Sequence, residues 1–203
     1  MESKLVNYIP NNAQEYCLDQ CSQYDFDLKI VNNRSSKSGD YKYSTKSKKH
    51  TITINKDLNP YTFLLTFFHE LAHLKANLDY GRKIKPHGKE WKTCFTDLAK
   101  PLLITDIFPL EILSALINYF VNPKASTFSD DVLVEILRKY DKHTDGLVNL
   151  SQIIHDAEFT LRHRKFIKGV KKRTRYVCKD VLTRKNYLIS GIVRVKEDGL
   201  TKS

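Results

Sequence analysis

The spacing of apolar and polar residues along this chain has two textures, short-range alternation at both ends and a helical period in between. Asn11 and Asn12 offer caps for a helix over 13–23. Residues 26–31 alternate as a strand does. The Asn-, Ser- and Gly-rich stretch 32–40 predicts a loop, and 41–43 and 51–54 predict two further short strands. The period then lengthens. Asn59 caps and Pro60 opens a helix over 61–78 that stops near Gly81. A loop holding Pro86 and Gly88 leads to a second helix over 89–100, stopped by Pro101. Pro109 opens a third to about Val121, Asn122-Pro123 breaks it, and Ser129 caps a fourth over 130–140. Beyond Asp145 the alternation returns, predicting strands over 159–166, 174–181 and 187–195. The change of texture near 122–129 predicts a boundary between units at 1–125 and 126–203.

The motif with chemical content lies inside the long helix. His69-Glu70-Leu71-Ala72-His73 has the form H-E-x-x-H. Residues four apart share a helix face, so both imidazoles can address one metal ion. Glu70 lies about 100° around the helix, where its carboxylate serves a metal-activated water as general base without binding the metal. A catalytic zinc site ordinarily takes three protein ligands and leaves one position open. Position 79 is Asp and position 76 is Ala, so the third ligand is not the histidine of the longer zincin motif. His87, at the head of the next helix in Pro86-His87-Gly88, is the first candidate, and Glu90 is its competitor. Trp91, Phe95 and Leu98 follow at i, i+4 and i+7, the core-facing stripe of that helix.

These residues carry a resemblance. His69, Glu70 and His73, then His87-Gly88-x-x-Trp91, with the preceding strands and Ile54-Asn55, resemble the SprT-like zinc metalloprotease family over about residues 10–100. The resemblance implies an α+β, minigluzincin-like core, a small sheet plus active-site helices, followed by a small basic β-rich module. It implies Zn2+ as cofactor, His69, His73 and His87 as its ligands, and Glu70 as the catalytic residue of a peptidase. It implies substrates among DNA-bound or DNA-crosslinked proteins. Many members of the family end in a four-cysteine zinc ribbon. This chain has a single cysteine, Cys178, in its C-terminal half, so it forms no ribbon.

Charge changes the picture in one segment. The chain carries a formal +11, and residues 162–185 hold eleven Lys or Arg against one acid, Asp180. Such an imbalance favours nucleic acid. Arg162, Arg164, Lys165, Lys168, Lys171, Lys172, Arg173 and Arg175 are the candidate phosphate contacts. Arg173 and Arg175 are expected to share a strand face, and Phe166, Tyr176 and Tyr187 to stack on bases. The competing reading is a non-catalytic, zinc-containing nucleic-acid-binding protein.

Other features add little. Cys17 and Cys21, one turn apart, have no second cysteine pair and read as thiols rather than ligands. Asp141–Asn149 imitates a calcium loop, but His143 stands where Asp or Asn is needed and Gln152 where a bidentate Glu is needed, so an Asp-Gly turn is expected. No apolar run reaches membrane length, and 1–10 has no secretory pattern, which predicts a cytoplasmic protein.

Overall fold

The computed structural model describes residues 2–34, 37–124, 130–141 and 146–200, and shows a mixed α+β chain with two sheets. It divides into two compact units, Met1–Lys142 and His143–Ser203. Among the described residues no helix is long and apolar enough to cross a membrane.

The first unit is organised around one helix. A short α1 (Glu2–Leu5), α2 (Gln14–Gln23) and three strands, β1 (Asp27–Val31), β2 (Gly39–Ser44) and β3 (Lys49–Asn55), precede α3 (Pro60–Tyr80). The strand order is β1-β3-β2, with β1 parallel and β2 antiparallel to β3, so β2 is an edge. Pro60 opens α3 because its missing N–H has no partner to lose there. Phe63, Phe67 and Phe68 are fully buried, each contributing about 2–3 kcal/mol of apolar transfer. Tyr8 stacks on Phe63 and Tyr16 on Phe68, so the N-terminal segments cover one flank of α3. On another flank lies α4 (Lys89–Ala99), whose Trp91 and Phe95 are inaccessible to solvent, as the i, i+4, i+7 stripe predicts.

Helices α5 (Leu110–Val121) and α6 (Asp131–Arg138) complete this unit. Ser129 lies outside the described residues. The side chain of Asp130 caps α6, accepting from the Leu133 N–H at 3.1 Å. The unit boundary falls after Lys142 rather than at 125. The physical reason is that α6 packs into the first core through Leu133 and Leu137. It is also tied to α3 by Asn59. That side chain accepts from the Thr62 N–H (2.9 Å) and donates to the Leu137 carbonyl (2.9 Å) and to Asp141 Oδ1 (2.7 Å). One buried amide thus satisfies the start of α3 and the end of α6.

The second unit is a six-stranded sheet, ordered β4-β9-β5-β6-β7-β8. Its strands are β4 (Val148–Asn149), β5 (Ala157–Leu161), β6 (Arg164–Lys172), β7 (Arg175–Asp180), β8 (Asn186–Ser190) and β9 (Arg194–Leu200). Two of the expected strands are therefore each broken into two, and only the first break is a hairpin, between β5 and β6. The run 159–166 turns at Arg162-His163, and 187–195 turns after Ser190. Phe159, Phe166, Cys178 and Val195 form the small core. The stretch imitating a calcium loop includes 142–145, which lie outside the described residues.

Replacing Asn59 by Ala removes a helix cap and leaves the Leu137 carbonyl without this partner. The expected loss is about 2 kcal/mol of first-unit stability. Denaturant unfolding followed by the fluorescence of Trp91, the chain's one tryptophan, measures it directly.

Candidate metal centre

The helical period of α3 sets His69 and His73 on one face, their ring centroids 5.1 Å apart. His87 comes from the connection between α3 and α4. There the Gly88 N–H donates to the Lys85 carbonyl at 2.9 Å, with Pro86 second in the turn and His87 third at φ 55°. This is the arrangement of a type II turn, which needs positive φ at that place. A side chain on Gly88 would meet the Lys85 carbonyl oxygen at 2.8 Å, so the turn closes only around glycine.

The turn aims His87 Nε2 at the other two rings, 3.0 Å from His73 Nε2 and 3.2 Å from His69 Nε2. Among the described residues these three histidines are the one group of three or more ligand-type side chains within 4.8 Å of one another. Glu90 does not belong to it, and neither do Cys17 and Cys21, which are unbridged thiols. Four-coordinate zinc with Zn–N near 2.05 Å sets its nitrogens about 3.3 Å apart. The donor set fits a metal of that kind.

Burial keeps these nitrogens unprotonated. It lowers the His69 pKa to about 3, with His73 and His87 adding to the fall, and the His73 pKa to about 4. His87 is lowered by burial too. The indole of Trp91 lies 4.7 Å from the rings of both His69 and His87 and donates to the His69 carbonyl at 3.3 Å. It walls the imidazoles off from water and fixes their helix against α4.

Glu70 points to the sheet. Burial raises its carboxyl pKa to about 7, Asp40 adds to the rise, and the Tyr41 backbone N–H, Lys37 and Arg34 oppose it. That N–H comes from edge strand β2, so a sheet amide holds the carboxylate. The approach is close: a Cβ on Gly39 would stand 2.6 Å from Glu70 Oε1 and 2.6 Å from Thr66 Cγ2. Asn55, buried at the end of β3, secures the preceding loop. Its amide donates to the carbonyls of Arg34 (3.2 Å) and Lys37 (3.0 Å), and its oxygen accepts from Arg34 Nε at 2.9 Å. Tyr41 stacks on His73, centroids 6.4 Å apart, and its hydroxyl is hydrogen-bonded to His50 Nδ1 at 2.8 Å. Gly39, Tyr41 and the loop-holding role of Asn55 were not read from the sequence. Only the Ile54-Asn55 pair before the helix signalled any of them.

The basic residues of the second unit fall into three groups. Arg162, Lys165, Lys171, Lys172, Arg173 and Arg175 are exposed. Arg164 is engaged with Asp180 through Nε (2.9 Å) and Nη2 (2.6 Å), and Thr183 and Arg164 hold that carboxyl at about 2. Lys168 is buried, its ammonium donating to the carbonyls of Ser151 and Ile153 beneath the Tyr176 ring. Arg173 sits in the β6–β7 turn at φ 56°, not on a strand beside Arg175. Phe166 is buried, and Tyr176 and Tyr187 pack on the same core. Tyr176 and Tyr187 keep part of their surface exposed.

Residues 8–107 match the SprT-like family. No curated protein and no solved structure matches the chain.

Two expectations follow. The folded His69 and His73 resist protonation, whereas the unfolded chain takes up protons near pH 6.5. Their contribution to the stability of the metal-free protein is therefore complete above that pH and is lost as the pH falls toward the folded values, while Glu70, raised to about 7, shifts stability the opposite way over the same range. In a Glu70→Gln background, which removes that offset, unfolding at pH 5 against pH 7, followed by Trp91 emission, is expected to show a loss of roughly 2–4 kcal/mol. Gly39→Ala drives a methyl into Glu70 and Thr66. The expected result is unchanged metal affinity by calorimetry with first-unit stability lowered by about 1–3 kcal/mol in denaturant unfolding.

Proposed function

Because residues 8–107 belong to the SprT-like family, we propose that the chain is a zinc-dependent peptidase with Glu70 as general base, acting on DNA-bound or DNA-crosslinked proteins. The observation that carries this reading is the convergence of three neutral imidazole nitrogens beside a buried carboxylate that does not join them. A purely structural site would have no use for that carboxylate. We read the first unit as a minigluzincin-like core, supported by the small sheet whose edge lies against the H-E-x-x-H helix.

In this reading His69, His73 and His87 hold the zinc. Zinc, when bound, lowers the pKa of a coordinated water and polarises the carbonyl to be attacked. The residues of the chain do the rest. Glu70, with a carboxyl pKa near neutrality, takes the water's proton on a carboxylate oxygen and returns it to the leaving amine nitrogen. The Tyr41 N–H restrains the carboxylate during both transfers. Trp91 keeps bulk water from the ligand face of α3.

The DNA-directed part rests on the family and on the second unit. Seven of the eight candidate phosphate contacts are exposed, Arg164 among them although it is paired with Asp180, with Lys179, Arg184 and Lys185 exposed beside them in the sequence. Binding of that kind is strongly salt-dependent and weakly selective for sequence.

The test is cleavage of a protein crosslinked to single-stranded DNA by the zinc-loaded chain, with free protein and Glu70→Gln alongside. Expected are preferential cleavage of the crosslinked substrate, a fall of about 10²–10⁴-fold in the variant, and zinc retained by it. Wild-type protein that is folded and zinc-loaded, yet indistinguishable from Glu70→Gln, leaves the non-catalytic binding reading in its place.

A further inference from the structure

The cations of this chain are segregated more sharply than its basic C-terminal segment alone indicates. Of 34 Lys and Arg and 23 Asp and Glu, residues 162–185 take eleven cations and one acid. Residues 42–49 and 81–89 take four cations each and no acid. What remains is 15 cations against 22 acids. Outside three short segments the chain is acidic.

Two of those segments border the metal centre. Residues 42–49 run from β2 through the hairpin into β3, and 81–89 form the α3–α4 connection that carries His87. A ladder of rings brings them together. Tyr41 lies on His73 with 6° between planes, and His50 on Tyr41 with 14°. Tyr43 is 4.7 Å from His50, and the Arg82 guanidinium sits 5.5 Å over Tyr43. Lys46, Lys48, Lys49, Arg82, Lys83 and Lys85 are all exposed. Among the described residues none of the six is in an ion pair, while Lys42 reaches Asp40 at 3.5 Å. Lysines that only solvate a surface need not gather on the two loops that also supply the site.

We infer that this rim selects acidic polypeptide, so that the peptidase prefers substrate segments rich in Asp and Glu around the scissile bond. The inference rests on the peptidase reading above. Two observations favour a polypeptide over a nucleic acid. The rings between the loops are engaged with one another and with Arg82, and Tyr41 and His50 are half-buried and hydrogen-bonded to each other, so they offer little ring surface to a base. The outer edge of β2 presents backbone groups of the sort that pair with an extended chain, and one of them, the Tyr41 N–H, already serves Glu70. A chain lying there meets cations on both loops. Exposed pairs are individually weak and screened by salt, so the preference comes from several acting together and fades as ionic strength rises.

The experiment uses the full, zinc-loaded chain and two fluorogenic peptides with one scissile sequence, flanked by Asp/Glu or by Asn/Gln. At about 50 mM salt, kcat/KM for the acidic peptide is expected to be at least about tenfold higher, mainly through KM. The triple variant Lys46→Ser, Lys48→Ser, Lys49→Ser brings the ratio toward one and leaves the neutral peptide's kcat/KM unchanged. Arginine at the same three positions restores the ratio. Anisotropy titration of labelled peptides with zinc-loaded Glu70→Gln reads the preference without turnover. Equal affinity for the two peptides overturns the inference, whatever the activity. A preference in binding with no cleavage of either peptide leaves the rim standing and removes the peptidase reading instead. Equal peptide affinities together with hairpin-dependent binding of a single-stranded oligonucleotide overturn it in favour of nucleic acid.

Discussion

Helix α3 must satisfy three unlike neighbours with one 21-residue surface. Its phenylalanines need an apolar shell, its two histidines need to stand together next to α4, and Glu70 needs a polar partner on the sheet side. The 3.6-residue period makes this compatible, because positions 69 and 73 coincide in direction while 70 is turned away. Every other device in the first unit follows from holding that helix in place. Asn59 fixes its start, Trp91 grips its His69 carbonyl, and Gly39 lets β2 approach closely enough to bond Glu70. A shift along the helix axis would leave at least one of the three unsatisfied.

The same packing sets the electrostatics. The three imidazole nitrogens converge at 3.0 and 3.2 Å, and burial keeps their rings from taking up a further proton. Neutral rings gathered in this way could hold a metal ion. The exposed lysines and Arg82 near the site do not undo this. Their charge is in water, where a field fades within about a Debye length of roughly 8–10 Å. The carboxyl of Glu70 is buried, with Asp40 half-buried beside it and paired with Lys37. Positive charge at the rim and carboxylate at depth gives a graded field into the site.

Much of this was legible in the sequence, for identifiable reasons. The candidate metal ligands are local: two histidines four residues apart on a helix, then a turn marked by Pro86 and Gly88. Helix starts were legible because Asn59 and Pro60 act on their own neighbours. Gly39 and Tyr41 were not, since their meaning comes from contact with Glu70 about thirty residues later. The β5–β6 hairpin of the second unit was hidden for another reason. Its turn places Arg162 and His163 at positive φ, where glycine or asparagine usually signals a reversal. Lacking that signal, two strands read as one. The boundary at 142 was hidden because the amphipathic face of α6 does not say which core it joins.

Charge counting has a comparable limit, and alternation shows where it lies. Arg164, Phe166 and Lys168 have the same parity on β6, so both cations share the face of the buried Phe166, Lys168 buried there and Arg164 at its exposed margin. There each needs its own solution. Arg164 takes Asp180, the segment's one acid, and stacks on Phe166 and Tyr187; Lys168 takes two carbonyls and the Tyr176 ring. A run of eleven cations is thus partly structural. The lysines near the metal centre draw no attention in a linear count, because acids elsewhere in the first unit offset them. Charge acts through the face that presents it, and the strand pairing assigns the face.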